Sequence, residues 1–310
     1  MEMGMVGLGR MGGNMVLRLM KRGHRMIAYD RSDDAVEAHV VQGAVGAHSL
    51  EEFVKKFQSK PRVMWVMVPA GDPTTQTINE LIKWGEPGDI IIDGGNTNWK
   101  LAIDDANRVK AKGLHYMDAG TSGGIWGLEY GYCLMVGAEQ AIFDHCMPLL
   151  KDLAPDDGGL VRTGAEGSGH FVKMIHNGVE YGLMQAYAEG FQIMKLSRTF
   201  PGMNMQAIAE AWRTGSVVRS WLLDLIARGL AEDPELAAIK GWVEDTGEGR
   251  WTVEAAIDEA VPVPIIAESL FARFRSRMEN TFGDRMLAMM RNQFGGHAVV
   301  KDAGGEGAKG

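Results

Sequence analysis

The segment Gly167-Ser168-Gly169-His170-Phe171-Val172-Lys173-Met174-Ile175-His176-Asn177-Gly178-Val179-Glu180-Tyr181 holds a base, an amide, a carboxyl and a phenol within a few turns of helical spacing. At 100° per residue, Asn177 and Glu180 lie within about 40° of Lys173, with Tyr181 beside them. One helix face thus carries groups that can move protons. An ordinary solvated Lys–Glu pair has the same spacing. Here Phe171, Val172, Met174 and Ile175 surround the polar residues, which argues for a helix buried on most sides, where ionisable groups are functional or paired. His176 stands about 60° off this cluster, and is either part of it or a satisfied core histidine.

Three glycine-rich loops accompany this face. Gly7-Leu8-Gly9-Arg10-Met11-Gly12 follows an apolar run and opens a helical pattern carrying Met15, Leu19 and Met20. That is the dinucleotide fingerprint in its required context: the first glycine makes the turn, the second admits the pyrophosphate and the third lets helix and strand pack. Asp30 closes the next apolar run at the place where a carboxylate bonds a ribose 2′-hydroxyl and repels a 2′-phosphate. Arg31 beside it is able to grip a 2′-phosphate, so NAD is the preferred cofactor and NADP stays open. Val68-Pro69-Ala70-Gly71 and Asp93-Gly94-Gly95-Asn96 leave later strand ends, where ligands collect in open α/β sheets. Asn96, with a donor and an acceptor, reads equally as a site residue or a turn residue. In Thr121-Ser122-Gly123-Gly124 small residues let a substrate approach backbone N–H groups, and Ser122 can bond a carboxylate.

The elements that must position these residues follow from hydrophobic rhythm. Apolar runs at 3–7, 26–30, 63–68, 90–93, 114–118 and 133–136 alternate with helical patterns, as in a parallel sheet covered by helices. Several are apolar throughout, as suits strands buried on both faces. Beyond Gly164 no good strand run remains, while amphipathic segments cover 169–195, 205–231 and 263–293. The expectation is a doubly wound, mostly parallel α/β Rossmann domain over 1–164, an all-helical substrate and dimerisation domain over 165–300, and a mobile tail over 301–310. A chain of 310 residues that is 45% hydrophobic accommodates two such domains. Its net charge of −8 disfavours nucleic acid as a partner, so an anionic substrate must meet a locally assembled cluster of cations. Two cysteines among apolar neighbours, no secretory signal and no bilayer-spanning run point to a cytoplasmic protein without disulfides, membrane contact or thiolate metal site.

The 169–185 segment resembles the signature helix of the 6-phosphogluconate dehydrogenase family. The glycine-rich start, the Asn96 loop and the Ser122-Gly123-Gly124 loop match that family in order. So do Trp212-Arg213-Thr214-Gly215 with Arg219, Gly249-Arg250-Trp251-Thr252, and Arg291-Asn292-Gln293-Phe294-Gly295-Gly296-His297. The resemblance runs over residues 3–297, to the short members that carry one copy of the helical half. It implies oxidative decarboxylation of a phosphorylated sugar acid, 6-phosphogluconate, to ribulose 5-phosphate with NAD(P) and no metal. Lys173 would be the base and Glu180 the acid, with His176 and Asn177 beside them. Tyr181, Arg219, Arg291 and His297 would hold the phosphate, the last two supplied by a second subunit of a homodimer or homotetramer with shared sites. Gly7, Leu8, Gly9, Met11, Gly12, Asp30, Arg31, Val68 and Asn96 would line the cofactor, and Asn96 with Ser122, Gly123 and Gly124 the substrate.

Departures from the long members are local. The loop after Ser122-Gly123-Gly124 reads Ile125-Trp126-Gly127-Leu128-Glu129 where they have two acids and an arginine. Thr246 and Glu248 stand where they have a lysine and a threonine for the phosphate, and Asp30 where the NADP-using members have asparagine. Two other functions share most of these features. A β-hydroxyacid dehydrogenase of the 3-hydroxyisobutyrate type has the fingerprint and the lysine but needs no phosphate clamp, and a non-catalytic NAD-binding sensor needs only the fold.

Overall fold

The computed structural model describes residues 1–300; the tail expected at 301–310 lies outside the described residues. The first alternating run is Glu2–Val6 (β1), Arg10–Lys21 (α1), Arg25–Tyr29 (β2), Asp33–Val40 (α2), Val45–Ala47 (β3), Leu50–Lys55 (α3), Val63–Val66 (β4), Asp72–Trp84 (α4), Ile90–Asp93 (β5) and Trp99–Lys110 (α5). His115–Ser122 (β6), a 3-10 turn at Gly124–Trp126, Gly127–Tyr130 (α6), Cys133–Ala138 (β7), Gln140–Leu153 (α7) and Leu160–Gly164 (β8) follow. The rest is helical: Ser168–Lys195 (α8), Met205–Arg213 (α9), Trp221–Glu232 (α10), Glu248–Asp258 (α11), Pro264–Ser276 (α12) and Phe282–Gly295 (α13).

The strands form one sheet in the order β3-β2-β1-β4-β5-β6-β7-β8. Neighbours are parallel except β6 with β7. Alternate residues feed two cores: Met3, Met5, Trp65 and Ile92 face one, and Val6, Met64, Val66 and Ile91 the other. Burial on both faces is why these strands read as unbroken apolar runs. Chain order reverses at β1, with β2 on one side and β4 on the other, so the crevice at the carboxyl ends of β1 and β4 is the ligand position of such sheets.

Three local differences from the sequence reading have physical causes. Thr121 and Ser122 end β6 rather than starting a loop, because the antiparallel ladder with β7 runs on to Ser122 opposite Cys133. The stretches 205–231 and 263–293 are each two helices, interrupted near Gly215 and Asn280, both with positive φ. β3, β8 and α11 add elements too short or too polar to stand out.

The chain packs as two compact units, Met1–Glu180 with Gly247–Pro262, and Tyr181–Thr246 with the chain from Val263. The second has its own apolar cluster of Met205, Ala209, Leu223, Ala227 and Leu230, joined by Phe191 and Trp212.

Candidate active site

The fingerprint turn has the geometry of an anion site. Gly9 caps α1 without a side-chain bond, and the first turn holds no acid, so its N–H groups are open to an anionic ligand. A Cβ at Gly12 would stand 2.1 Å from the Gly7 carbonyl oxygen, which is why only glycine fits there. Gly9, Arg10, Met11, Gly12, Gly95 and Asn96 border a depression of about 180 Å³. It adjoins a cavity of about 380 Å³ lined by Gly7, Tyr29, Asp30, Arg31, Val68 and Thr77. Asp30 Oδ2 accepts from Leu8 N at 2.7 Å and Oδ1 from Ser32 N at 2.9 Å. The carboxylate therefore ties the fingerprint to the end of β2 and keeps lone pairs for a diol. Shape and donors fit a dinucleotide.

Asn96 adopts φ +51° and braces the neighbouring strand end: its Oδ1 accepts from Thr121 N at 3.1 Å and its Nδ2 donates to Thr121 O at 3.4 Å. Asn96 is thus both turn and bridge, linking the crevice to the strand that ends in Ser122. Gly123 and Gly124 follow at positive φ, turning the chain away from the sheet.

Lys173 lies within the first two turns of α8 and is buried, 6% exposed. A Cβ at Gly120 would be 2.4 Å from Lys173 Cβ, so α8 rests directly on β6. Lys173 Nζ donates to Asn177 Oδ1 at 2.5 Å and stands 3.5 Å from His176 Nδ1. His176 Nδ1 lies 3.0 Å from Asn177 Oδ1 and 3.9 Å from Glu180 Oε2. The helical spacing thus brings Lys173, His176, Asn177 and Glu180 together, and His176 belongs to the cluster. Burial pulls the Lys173 ammonium below the ordinary lysine range, and the charges of Glu180 and Glu248 and the Cys133 thiol oppose this without cancelling it. Glu248 reaches this setting because α11 is locked to α8: Thr252 Oγ1 donates to Met174 O at 2.9 Å. Val172 and Val179 are exposed, so the helix is less enclosed than its apolar residues implied.

Residues 2–164 match the model of the NAD binding domain of 6-phosphogluconate dehydrogenase, and 169–301 that of the 6-phosphogluconate dehydrogenase C-terminal domain. This chain belongs to the 6-phosphogluconate dehydrogenase family. A Bacillus subtilis protein provisionally named as a 6-phosphogluconate dehydrogenase is 42% identical over 97% of this chain and 100% of its own length. The NAD(+)-dependent, decarboxylating 6-phosphogluconate dehydrogenase of Haloferax volcanii is 39% identical over 97% and 99%. The Plasmodium falciparum 6-phosphogluconate dehydrogenase structure superposes with a TM-score of 0.83 at 27% identity, covering 98% of this chain and 67% of that one.

The phosphate residues suggested by resemblance to 6-phosphogluconate dehydrogenases fall in the second unit. Tyr181 is buried there, with the Arg273 guanidinium 3.5 Å above its ring. Arg219, between α9 and α10, Arg291 on α13, and His297 are exposed. Among the described residues no hydrogen bond or ion pair joins these three to one another. The sequence reading passed over Asp93, Asp118 and His170, buried beneath the Lys173 face.

Proposed function

We propose that this chain oxidises 6-phosphogluconate with NAD, releases carbon dioxide and yields ribulose 5-phosphate. The supporting observation is a buried Lys173, bonded to Asn177 and facing Glu180 and Glu248, in the compact unit that also holds the dinucleotide crevice. The family and its NAD(+)-dependent members support the cofactor, and Asp30 at the end of β2 favours NAD over NADP, with Arg31 leaving NADP as a second cofactor.

A nicotinamide held in the crevice supplies the hydride acceptor. Lys173, whose ammonium form burial disfavours, takes the proton of the substrate 3-hydroxyl in its neutral form as C3 is oxidised, leaving a β-keto acid. The resulting ammonium, still held by Asn177, polarises the C3 carbonyl and stabilises the negative charge that builds up on its oxygen as the C1 carboxylate departs as carbon dioxide. Glu180, part exposed on the same face, takes up a proton from solvent and delivers it to the carbon that becomes C1 of the product. Asn96 and the Ser122-Gly123-Gly124 end of β6 hold the sugar acid, and Tyr181, Arg219, Arg291 and His297 hold its phosphate, arginine being suited by its fork of donors.

The enzyme acts as a homodimer or homotetramer with shared sites, Arg291 and His297 coming from a second copy. Support comes from α13, which buries none of its residues among the described residues. A cytoplasmic location accords with two free cysteines. Among the described residues no helix is long and apolar enough to cross a membrane.

The deciding experiment offers purified protein 6-phosphogluconate with NAD or NADP, following nicotinamide reduction and gas release together. Equal amounts of both, faster with NAD, are expected. Reduction without carbon dioxide would make it a simple hydroxyacid dehydrogenase, and no reduction a binding protein.

A further inference from the structure

Beneath the Lys173 face lies a second group of titratable side chains that the chemistry above leaves unused. Asp93 ends β5 and stands opposite Asp118 in the register of β6. Both are fully buried, and His170, one turn before Lys173, is 1% exposed. Asp118 Oδ1 accepts from Gly167 N at 2.6 Å and Oδ2 from His170 N at 2.7 Å, so a carboxylate of the sheet caps the start of α8. Asp93 Oδ1 accepts from Gly95 N at 2.9 Å, and Oδ2 accepts from Tyr116 Oη at 3.1 Å while lying 3.2 Å from His170 Nε2. Three parts of the site thus meet here: the Gly94-Gly95-Asn96 loop, the strand leading to Ser122, and the helix that bears Lys173.

Burial works against charge on all three groups. Even so, the charge of His170 holds the Asp93 carboxyl below its ordinary range, and Asp93 and Asp118 hold the His170 imidazolium above its own. Burial prevails only at Asp118, whose carboxyl is raised. Buried ion pairs add little stability over apolar packing of the same volume, and these three groups tie the ends of β5 and β6 to the start of α8. Among the described residues no group of three or more His, Cys, Asp or Glu is placed to hold a metal ion.

We propose that Asp93, His170 and Asp118, with Tyr116 as donor, form a buried positioning network that fixes Lys173 in its dehydrated place on β6. They are positioning residues, acting through the backbone of α8 and the packing of Lys173 on Gly120. The inference rests on Lys173 being the base, and the test separates the two ideas. The groups facing Lys173 are His176 and Glu180 on α8, Glu248 on α11 and Cys133 on β7; those facing His170 are Asp93 on β5 and Asp118 on β6.

The test measures kcat/KM against pH for the full-length wild type, His170→Gln and Tyr116→Phe, with the NAD dissociation constant and melting temperature of each. The wild type should show an acid limb from Lys173, and Lys173→Met should lose turnover. In His170→Gln a displaced, rehydrated Lys173 regains its ammonium character, so the limb moves to higher pH and neutral-pH kcat falls about 10- to 100-fold. NAD binding should change by less than about threefold, because the fingerprint lies on another element and the variant leaves Asp93 bonded to Gly95 N. Tyr116→Phe, which removes only one donor to Asp93, should move the limb the same way by less. If His170→Gln merely melts earlier and keeps kcat and limb, the network is structural and the proposal fails. If that variant does not fold, an unmoved limb in Tyr116→Phe overturns it. Turnover surviving in Lys173→Met would instead sink the assignment of the base.

Discussion

A lysine serves as a base only while neutral, so, with Lys173 proposed as the base, the surroundings of its ammonium set the working pH. For Lys173 burial dominates and lowers its proton affinity, while the anions Glu180 and Glu248 raise it. Glu248→Gln deletes a charge that favours the ammonium. The Lys173 pKa should therefore fall further, and the acid limb of kcat/KM should move to lower pH, by about half a unit to one unit. That is opposite to the shift expected for His170→Gln, so one titration series distinguishes a charge effect from a loss of position. A limb that rises or stays fixed in Glu248→Gln removes Glu248 from the surroundings of Lys173. The Lys173-Asn177-Glu180 face was legible in the sequence because one helix repeat sets it. The Asp93-His170-Asp118 group was not, since its members sit on three elements and only the assembled sheet shows their burial. A trace existed: Asp93 closes an otherwise apolar run and Asp118 a mostly apolar one, and an acid there must find a partner.

Between elements, the orientation of α8 depends on a contact no periodicity announces. Thr252 on α11 is buried, donates to Met174 O, and leaves its methyl where Gly178 of α8 lacks a side chain. A Cβ at Gly178 would stand 2.7 Å from Thr252 Cγ2. Alanine there gains about 1 kcal/mol in helix propensity but overpacks a closed contact at a cost of about 1 to 3 kcal/mol. Gly178→Ala should thus lower the urea midpoint of the unit, whereas in a Thr252→Ala background the same change should cost less or stabilise. An equal effect in both backgrounds would show that the two helices are not in contact there. The same reasoning explains which elements the sequence disclosed. Strands buried on both faces and the long α8 have strong patterns of their own. β3 has three residues, β8 exposes Val161, and α11 carries Gly249 among β-branched and charged neighbours, so each exists because of what it packs against.

At the scale of the whole molecule, α13 buries none of its own residues among the described residues, although Arg275 of α12 bonds its Asp284 at 2.7 Å. Its capping box, Thr281 with Asp284, gives a well-formed start, yet Phe282 is 69% and Leu287 60% exposed, and Phe294 is almost wholly so. Apolar surface of this extent on one element marks an interface, and soluble assemblies are most often symmetric pairs of one chain. If Arg291 and His297 complete the site of the neighbouring copy, then Lys173→Met and Arg291→Ala damage different halves of each composite site. Co-expressed with different tags and isolated as a hybrid dimer, the two chains build one site with both defects and one with neither. The hybrid should regain about half the wild-type rate while each parent dimer stays near zero, because two-fold symmetry gives two sites per pair. A hybrid as inactive as its parents would place Lys173 and Arg291 in the site of a single chain, and Arg291 would not come from a second copy.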